Sequence, residues 1–211
     1  SGMPRNKRWP YNSGLHVPFL LHVPEKFKEL APAEYSAGGK SDRMVSFVDL
    51  APTMLSLAGI EPKDFMQGLA FAGEFEAEGG DYSYGFRGRM DERYDLVRTV
   101  LGKRYVYLRH YMPHRIYGQY IDYMFQTPTT KVWHQMYHDG KLNEAQSHFW
   151  EKKPTEELYD LETDPDEVNN LVGSAGHEEV LNKMRAAHIA WETKIRDLSF
   201  LPEAGIHKRS K

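Results

Sequence analysis

Two β-rich runs, Tyr94–Leu101 and Arg104–Arg109, are separated only by Gly102-Lys103. Glycine at such a break allows a tight turn, so the pair reads as a β-hairpin. A lone hairpin is marginal in water and needs further strands or a helix to cover a face. The chain offers both. Leu158-Tyr159-Asp160-Leu161 is a further short strand, followed by the turn sequence Thr163-Asp164-Pro165-Asp166. From Glu178 to Leu198, Val180, Leu181, Met184, Ala187, His188, Trp191, Ile195 and Leu198 recur at three- and four-residue spacing. That period belongs to a helix with one packing face. Residues 81–211 are therefore predicted to form a small α+β subdomain, an antiparallel sheet with a packing helix. Its stretch 112–150, rich in Tyr, His, Trp, Phe and Gln, is too long for a plain loop and reads as a partly helical insertion. The basic tail Gly205–Lys211 is expected to fray.

Residues 1–80 read as the end of an α/β domain. Asn12-Ser13-Gly14 is turn chemistry, and Leu15–Val23 is a near-continuous apolar run. Such a run suits a strand of a parallel sheet covered on both faces. A helix follows, with Asp49 as cap, Pro52 in the first turn and Gly59 at its close. Leu50, Met54, Leu57 and Ala58 give it one apolar face, and Glu61-Pro62 forbids continuation. Gly68–Gly80 is a loop with an acidic tract, Glu74, Glu76 and Glu78.

Composition excludes several functions. Lys and Arg number 27 against 30 Asp and Glu, and the net charge of -3 removes the electrostatic reason to expect nucleic acid as the main partner. No apolar run approaches the roughly 20 residues that span a bilayer. The absence of cysteine rules out disulfides, a thiolate zinc site and a Cys nucleophile, and leaves the compartment open. There is no Gly-x-Ser-x-Gly elbow, no Walker loop and no His-Glu-x-x-His helix.

Five groups remain as candidates, each weighed against a structural reading. His134 and His138 stand four apart, as a helix-borne metal pair lacking a third ligand, or as a solvated or substrate-facing pair. His16 and His22 read as rim or core histidines of the first strand. Arg5, Lys7 and Arg8, beside Trp9 and Tyr11, either hold an anion such as phosphate or sulfate or form a solvated terminus. Arg87, Arg89 and Arg93, against Asp91 and Glu92, are either a weak surface ion network or the wall of a pocket for an anionic substrate. The aromatics of 105–150, among them Tyr120, Tyr123, Trp133 and Trp150, either stack on sugar rings or pack the subdomain core.

Three segments, in this order, resemble the type I sulfatases of the alkaline-phosphatase-like superfamily. KRWPYNSGLHVPFLLHVP, Lys7–Pro24, is similar to their K-x-x-x-Y-E-G-G-x-R-V-P-x-x-V stretch. VSFVDLAPTMLSLAGI, Val45–Ile60, is similar to their Asp-Leu-x-Pro-Thr-Leu helix. ELYDLETDPDEVNNL, Glu157–Leu171, is similar to their C-terminal Glu-Leu-Tyr-Asp-Leu-x-x-Asp-Pro signature.

The resemblance implies hydrolysis of a sulfate ester, with a sulfated carbohydrate among the candidate substrates. A phosphodiesterase or phosphonate hydrolase of the same superfamily, or a non-catalytic carbohydrate-binding or structural module, are the alternatives. Family members use a formylglycine made within Cys/Ser-x-Pro-x-Arg and a calcium-type ion held by Asp and Asn. Here there is no cysteine, and after Ser1 the proline, Pro4, falls one position late. The resemblance therefore implies the C-terminal part of the fold, without the nucleophile and metal ligands, and no turnover by this chain alone. Lys7, four residues before Tyr11, matches the lysine that contacts the substrate sulfate, with Arg5 or Arg8 as the alternative register. The family's Glu-Gly-Gly-x-Arg becomes Asn12-Ser13-Gly14-Leu15-His16, which puts His16 at the arginine's place. Arg89 and Asp91 fall where substrate-recognition residues are expected, while Tyr159 and Asp160 read as structural pins. With its sheet neighbours missing, the edge of Leu15–Val23 is expected to drive self-association.

Overall fold

Four strands, β1 (Ser83–Met90), β2 (Arg93–Leu101), β3 (Tyr105–His110) and β4 (Glu156–Asp160), form a sheet in the order β1-β2-β3-β4 in the computed structural model, which describes residues 6–209. The expected hairpin is present. β2 and β3 pair antiparallel from Leu101↔Val106 to Val97↔His110, and Gly102 N donates to Tyr105 O at 2.9 Å across the turn. β4 pairs antiparallel with β3, from Tyr105↔Asp160 to Arg109↔Glu156. Residues 6–16 and 85–209 make one structural unit and residues 17–84 a second.

Because side chains alternate across a strand, the sheet has two chemically different faces. Tyr107, Leu158 and Arg98 lie on the face that meets α3 (Glu178–Ile195), the periodic helix read from sequence. That helix buries Leu181, Met184 and His188, and the His188 ring lies 5.8 Å from Tyr107. Val97, Val106, Leu108 and Tyr159 lie on the opposite face, in a buried cluster with Trp9, Tyr11, Tyr117, Phe149 and Trp150. The aromatic stretch is partly helical, as expected, with α2 (Pro128–His138) and one-turn helices at Asp122–Phe125 and Glu144–Ser147. Pro128 begins α2, where a missing amide hydrogen costs nothing. Trp133 stacks on Phe149 at 4.7 Å between centroids, so most of these aromatics pack the core.

Three expectations are corrected. Residues 17–24 are extended, but no strand pairs with them among the described residues, and Leu20 is 95% exposed. β-rich composition sets an extended backbone, whereas a ladder needs a partner with matching donors and acceptors. Helix α1 (Leu50–Leu57) forms where the sequence places it, yet its buried residues are Pro52, Thr53 and Ser56, while Met54 is 65% exposed. The polar side is inward because it holds the following loop: Thr53 Oγ1 accepts from Phe71 N at 3.1 Å and Ser56 Oγ from Phe75 N at 2.8 Å. Asp49 acts within the preceding turn, accepting from Ser46 N at 2.7 Å and Leu69 N at 2.8 Å. The tail folds as α4 (Glu203–Arg209) rather than fraying. Glu203 in its first turn and His207, Lys208 and Arg209 in its last match the helix dipole.

The arm 6–16 is bound to the sheet almost residue by residue. Arg87 Nη1 donates to Arg8 O at 2.6 Å, and Thr99 Oγ1 donates to Pro10 O at 2.6 Å. Tyr11 OH donates to Glu157 at 2.7 Å, and Glu167 accepts from Asn12 N at 3.1 Å. Tyr117 OH donates to the other oxygen of Glu157, and His110 Nε2 lies 3.3 Å from it. Arg87 also lies over Trp9, with Cζ 5.0 Å from the ring. Its charge faces Asp95, whose carboxylate takes two bonds from Lys153 Nζ, at 2.5 and 2.7 Å. None of the three side chains is more than 2% exposed. Burial pushes the Arg87 and Lys153 pKa values down, and Asp95 works against that shift. Asp160 is pinned as its motif implies, taking Arg104 Nε and Nη2 at 2.9 and 2.7 Å.

Removing one member of a buried ion cluster strands the others without compensation. Asp95→Asn is expected to lower unfolding free energy by about 3 kcal/mol in urea titration, because two buried cations lose their counter-charge. Asp91→Asn, on the exposed pair described below, is expected to cost under about 1 kcal/mol. Equal losses would refute the assignment of the buried cluster as the anchor.

A pH test addresses the opposite face. Glu156 accepts Arg185 Nε and Nη2 at 2.8 and 2.6 Å and Tyr107 OH at 2.6 Å. The Arg185 bonds, helped by Tyr107 and opposed by desolvation, hold its pKa at about 2, down from 4.5. A carboxylate depressed in the folded state stabilises it above the unfolded pKa, and that stability is lost as pH falls through the folded value. The stability gap between wild type and Glu156→Gln is therefore expected to be about 1–2 kcal/mol at pH 6, after solvent screening. It should shrink toward zero between pH 4.5 and pH 2, the interval spanned by the Glu156 shift. A gap independent of pH would overturn the assignment.

Candidate functional site

Lys7 is exposed, and its ammonium has no ion-pair partner among the described residues. Arg8, beside it, has φ 97°, a left-handed conformation unusual for a side chain of this size. Such strain costs of order 1–3 kcal/mol and persists only where surrounding contacts over-determine it. Here they do. The Arg8 carbonyl is held by Arg87, and its guanidinium donates to Asp91 Oδ2 at 2.8 Å. Asp91 occupies the β1–β2 turn at φ 49°, also left-handed, which a short polar side chain tolerates better than most. Two strained residues from distant parts of the chain thus face each other through one ion pair.

The turn is fixed on its other side. Glu92 accepts from Asp122 N at 2.8 Å, and Arg93 Nε donates to Tyr120 O. This brings the one-turn helix Asp122–Phe125 against the arm, and Arg8 Cζ lies 4.8 Å from the centre of the Tyr123 ring. Tyr120 packs against Phe125 at 4.6 Å, and its hydroxyl donates to Asp122 at 3.1 Å. Tyr120 and Tyr123 are 50% and 65% exposed, unlike Tyr107, Tyr117 and Trp150, which are buried. The result is a surface of one guanidinium, carboxylates and two open phenol rings, beside the arm that carries Lys7.

Asp91 pairs with Arg8, the residue that follows Lys7, and among the described residues no contact joins the Lys7 side chain itself to that pair. The structure does not bring Arg89 there: that side chain pairs with Glu203 on α4 and lies 5.9 Å from the Tyr94 ring. His16 is exposed at the end of the one-turn helix Asn12–Leu15, its amide bonded to Asn12 O at 2.8 Å, and no contact joins it to the cluster among the described residues. His22 is exposed in the extended segment of the other unit. Arg87 belongs to the buried anchor and not to a surface network, which corrects one of the two readings of its charge run. Arg5 and Ser1 lie outside the described residues.

His134 and His138 share the exposed face of α2, with Nε2 atoms 3.1 Å apart. Burial, and then the neighbouring His138, push the His134 pKa down. Among the described residues no group of three or more His, Asp or Glu side chains is arranged to hold a metal ion. The calcium that the resemblance implies therefore does not fit the donors present here. No described helix is long and apolar enough to cross a membrane.

Sequence reasoning missed the buried charges Asp95, Lys153, Glu157 and Glu167. Asp95 and Glu157 carry one signal, a carboxylate on a strand directly before two apolar residues, Leu96-Val97 and Leu158-Tyr159, while Lys153 and Glu167 carry none.

The family described as N-sulphoglucosamine sulphohydrolase, C-terminal, matches residues 5–111, half of the chain. An ulvan-active sulfatase of Formosa agariphila is 38% identical over 203 residues, covering 96% of this chain and 33% of that protein. An N-acetylglucosamine-6-O-sulfatase of Bacteroides thetaiotaomicron is 27% identical over 170 residues, covering 81% of this chain and 24% of that protein. A solved structure described as a 2-O GAG sulfatase superposes with a TM-score of 0.50 at 22% identity, over 75% of this chain and 27% of that one, a likeness of fold. The chain spans a third or less of the length of the curated relatives it matches. With the order of its motifs, its sheet and half of its residues in agreement, the chain belongs to the sulfatase family and corresponds to its C-terminal portion.

Proposed function

We propose that this chain forms the sulfate-facing wall of a hydrolase acting on sulfate esters of carbohydrates, with Lys7 as the sulfate contact. One observation carries the reading: an exposed lysine with no described partner sits on an arm that buried charges hold against the sheet. A lysine placed without freedom to retreat is suited to oppose the charge of a bound sulfate. The benefit grows where water is excluded. The names of the matched relatives, which act on ulvan or on N-acetylglucosamine 6-O-sulfate, support a sulfated sugar over an aryl ester.

In this reading Asp91 accepts from a sugar hydroxyl through the oxygen that Arg8 leaves open. Arg89 and His16 are assigned to other edges of the substrate, since neither joins the cluster. The nucleophile and calcium are assigned to other parts of the intact enzyme, so this chain binds and orients without cleaving. A phosphate ester presents a similar tetrahedral oxyanion, and comparing the two esters separates sulfatase from phosphodiesterase.

Binding is best measured by NMR titration of the full chain with N-acetylglucosamine 6-sulfate, N-acetylglucosamine 6-phosphate and N-acetylglucosamine. The sulfate ester is expected to bind most tightly. Lys7→Ala is expected to weaken it about tenfold or more, the loss of one charge-assisted contact of about 1.5–3 kcal/mol. Equal binding of all three sugars, or no effect of Lys7→Ala, refutes the proposal. With calcium added, the chain is expected to leave 4-nitrophenyl sulfate intact; robust calcium-dependent release of nitrophenol refutes the division of labour.

A further inference from the structure

We infer that Tyr123 and Tyr120 form a saccharide platform beside Lys7, with the Arg8–Asp91 pair as its polar edge, and that this platform discriminates between sugars. The inference rests on the proposed sulfate contact at Lys7 and extends it to the ring that carries the sulfate.

The argument starts from an exception. The aromatic stretch 105–150 has a plain structural explanation for nearly every ring: Tyr107, Tyr117 and Trp150 are buried, and Trp133 is stacked on Phe149. Tyr120 and Tyr123 are the two that stay largely in water. An exposed tyrosine alone needs no explanation. These two are held in place, however. Tyr123 carries the Arg8 guanidinium on one face, and Tyr120 is fixed by Phe125, by Asp122 and by the Arg93 bond to its carbonyl. Rigid aromatic side chains give contact area at little entropic cost when a ligand arrives.

Position supplies the second half. Adjacent Cα atoms are about 3.8 Å apart, so Lys7 leaves the backbone one residue from the guanidinium that lies on Tyr123. On this inference, the parent ring of a sulfate held by Lys7 lies against the tyrosines. A pyranose presents C–H bonds to an aromatic face and hydroxyls at its rim. The rim partners are present: Asp91, with one carboxylate oxygen on Arg8 and the other open, and Glu92, with one oxygen on Asp122 N. The φ values of 97° at Arg8 and 49° at Asp91 place left-handed backbone at the junction of platform and sulfate contact. Strain held by surrounding contacts is a feature of ligand clamps.

The ligand class is therefore a sulfated pyranoside, and the recognition splits into two parts: sulfate at Lys7, ring at Tyr123 and Tyr120. NMR titration of the full chain with sodium sulfate and with N-acetylglucosamine 6-sulfate reads the two parts separately. Tyr123→Ala is expected to weaken the sugar sulfate about tenfold while leaving inorganic sulfate unchanged, and Tyr123→Phe to bind as wild type. Lys7→Ala is expected to weaken both. Sugar-sulfate binding that depends on Lys7 but is unchanged in Tyr123→Ala overturns the platform and leaves the sulfate contact standing. Wild type that binds neither probe overturns both. Unchanged melting temperature and amide spectrum in Tyr123→Ala exclude misfolding as the cause of a loss.

Discussion

The buried cluster of Arg87, Asp95 and Lys153 is the constraint on which the placement of the arm depends. Its charges are out of water, so they are tolerable only while all three stay together. Arg87 Nη1 donates to the carbonyl of Arg8, and its guanidinium carbon lies 5.0 Å from the Trp9 ring centre. The arm is thus held by polar geometry at one end and by Tyr11, Asn12 and the carboxylates of Glu157 and Glu167 at the other. Apolar packing alone is non-directional and would let such a short arm slide. Charged hydrogen bonds specify where each atom sits.

The same layering separates structure from chemistry on one face of the sheet. The buried layer contains carboxylates matched with cations or hydroxyls, which keeps them structural. The surface layer above it holds Lys7, which has no ion-pair partner among the described residues, and the Arg8–Asp91 pair, which leaves one Asp91 oxygen without a described bond. Backbone strain at Arg8 and Asp91 sits at the seam between the layers, where the anchor supplies the contacts that sustain it. The α3 face follows a different logic, with Glu156 and Arg185 joined near the edge of the sheet and His188 edge-on to Tyr107.

In residues 17–84 the relation between pattern and burial is inverted. The Val45–Ile60 helix forms as its caps dictate, but Thr53 and Ser56 face inward and Met54 outward. Short polar side chains there serve as acceptors for the amides of a loop that has no ladder of its own. A reading based on periodicity sees that a helix has an apolar side; it does not see which side the neighbouring chain covers.

Elements set by local rules were legible in the sequence: the Gly102-Lys103 hairpin, the strand Leu158–Leu161, the periodic helix after Glu178, the helical insertion and the motifs that mark the family. Turn chemistry, alternation and capping act over a few residues, so the local sequence carries them whole. Lys7 and Asp91 were singled out one by one from the sequence; the pairing of Arg8, beside Lys7, with Asp91 was not legible. The pair Arg8–Asp91 joins residues 83 positions apart, and Tyr11–Glu157 joins residues 146 apart. Which charged residues are buried as anchors and which stay open to a ligand depends on what the fold places around them. Arg87 and Arg89, two residues apart with the same side chain, end in opposite situations for that reason: one is sealed against Asp95, the other meets Glu203 at the surface.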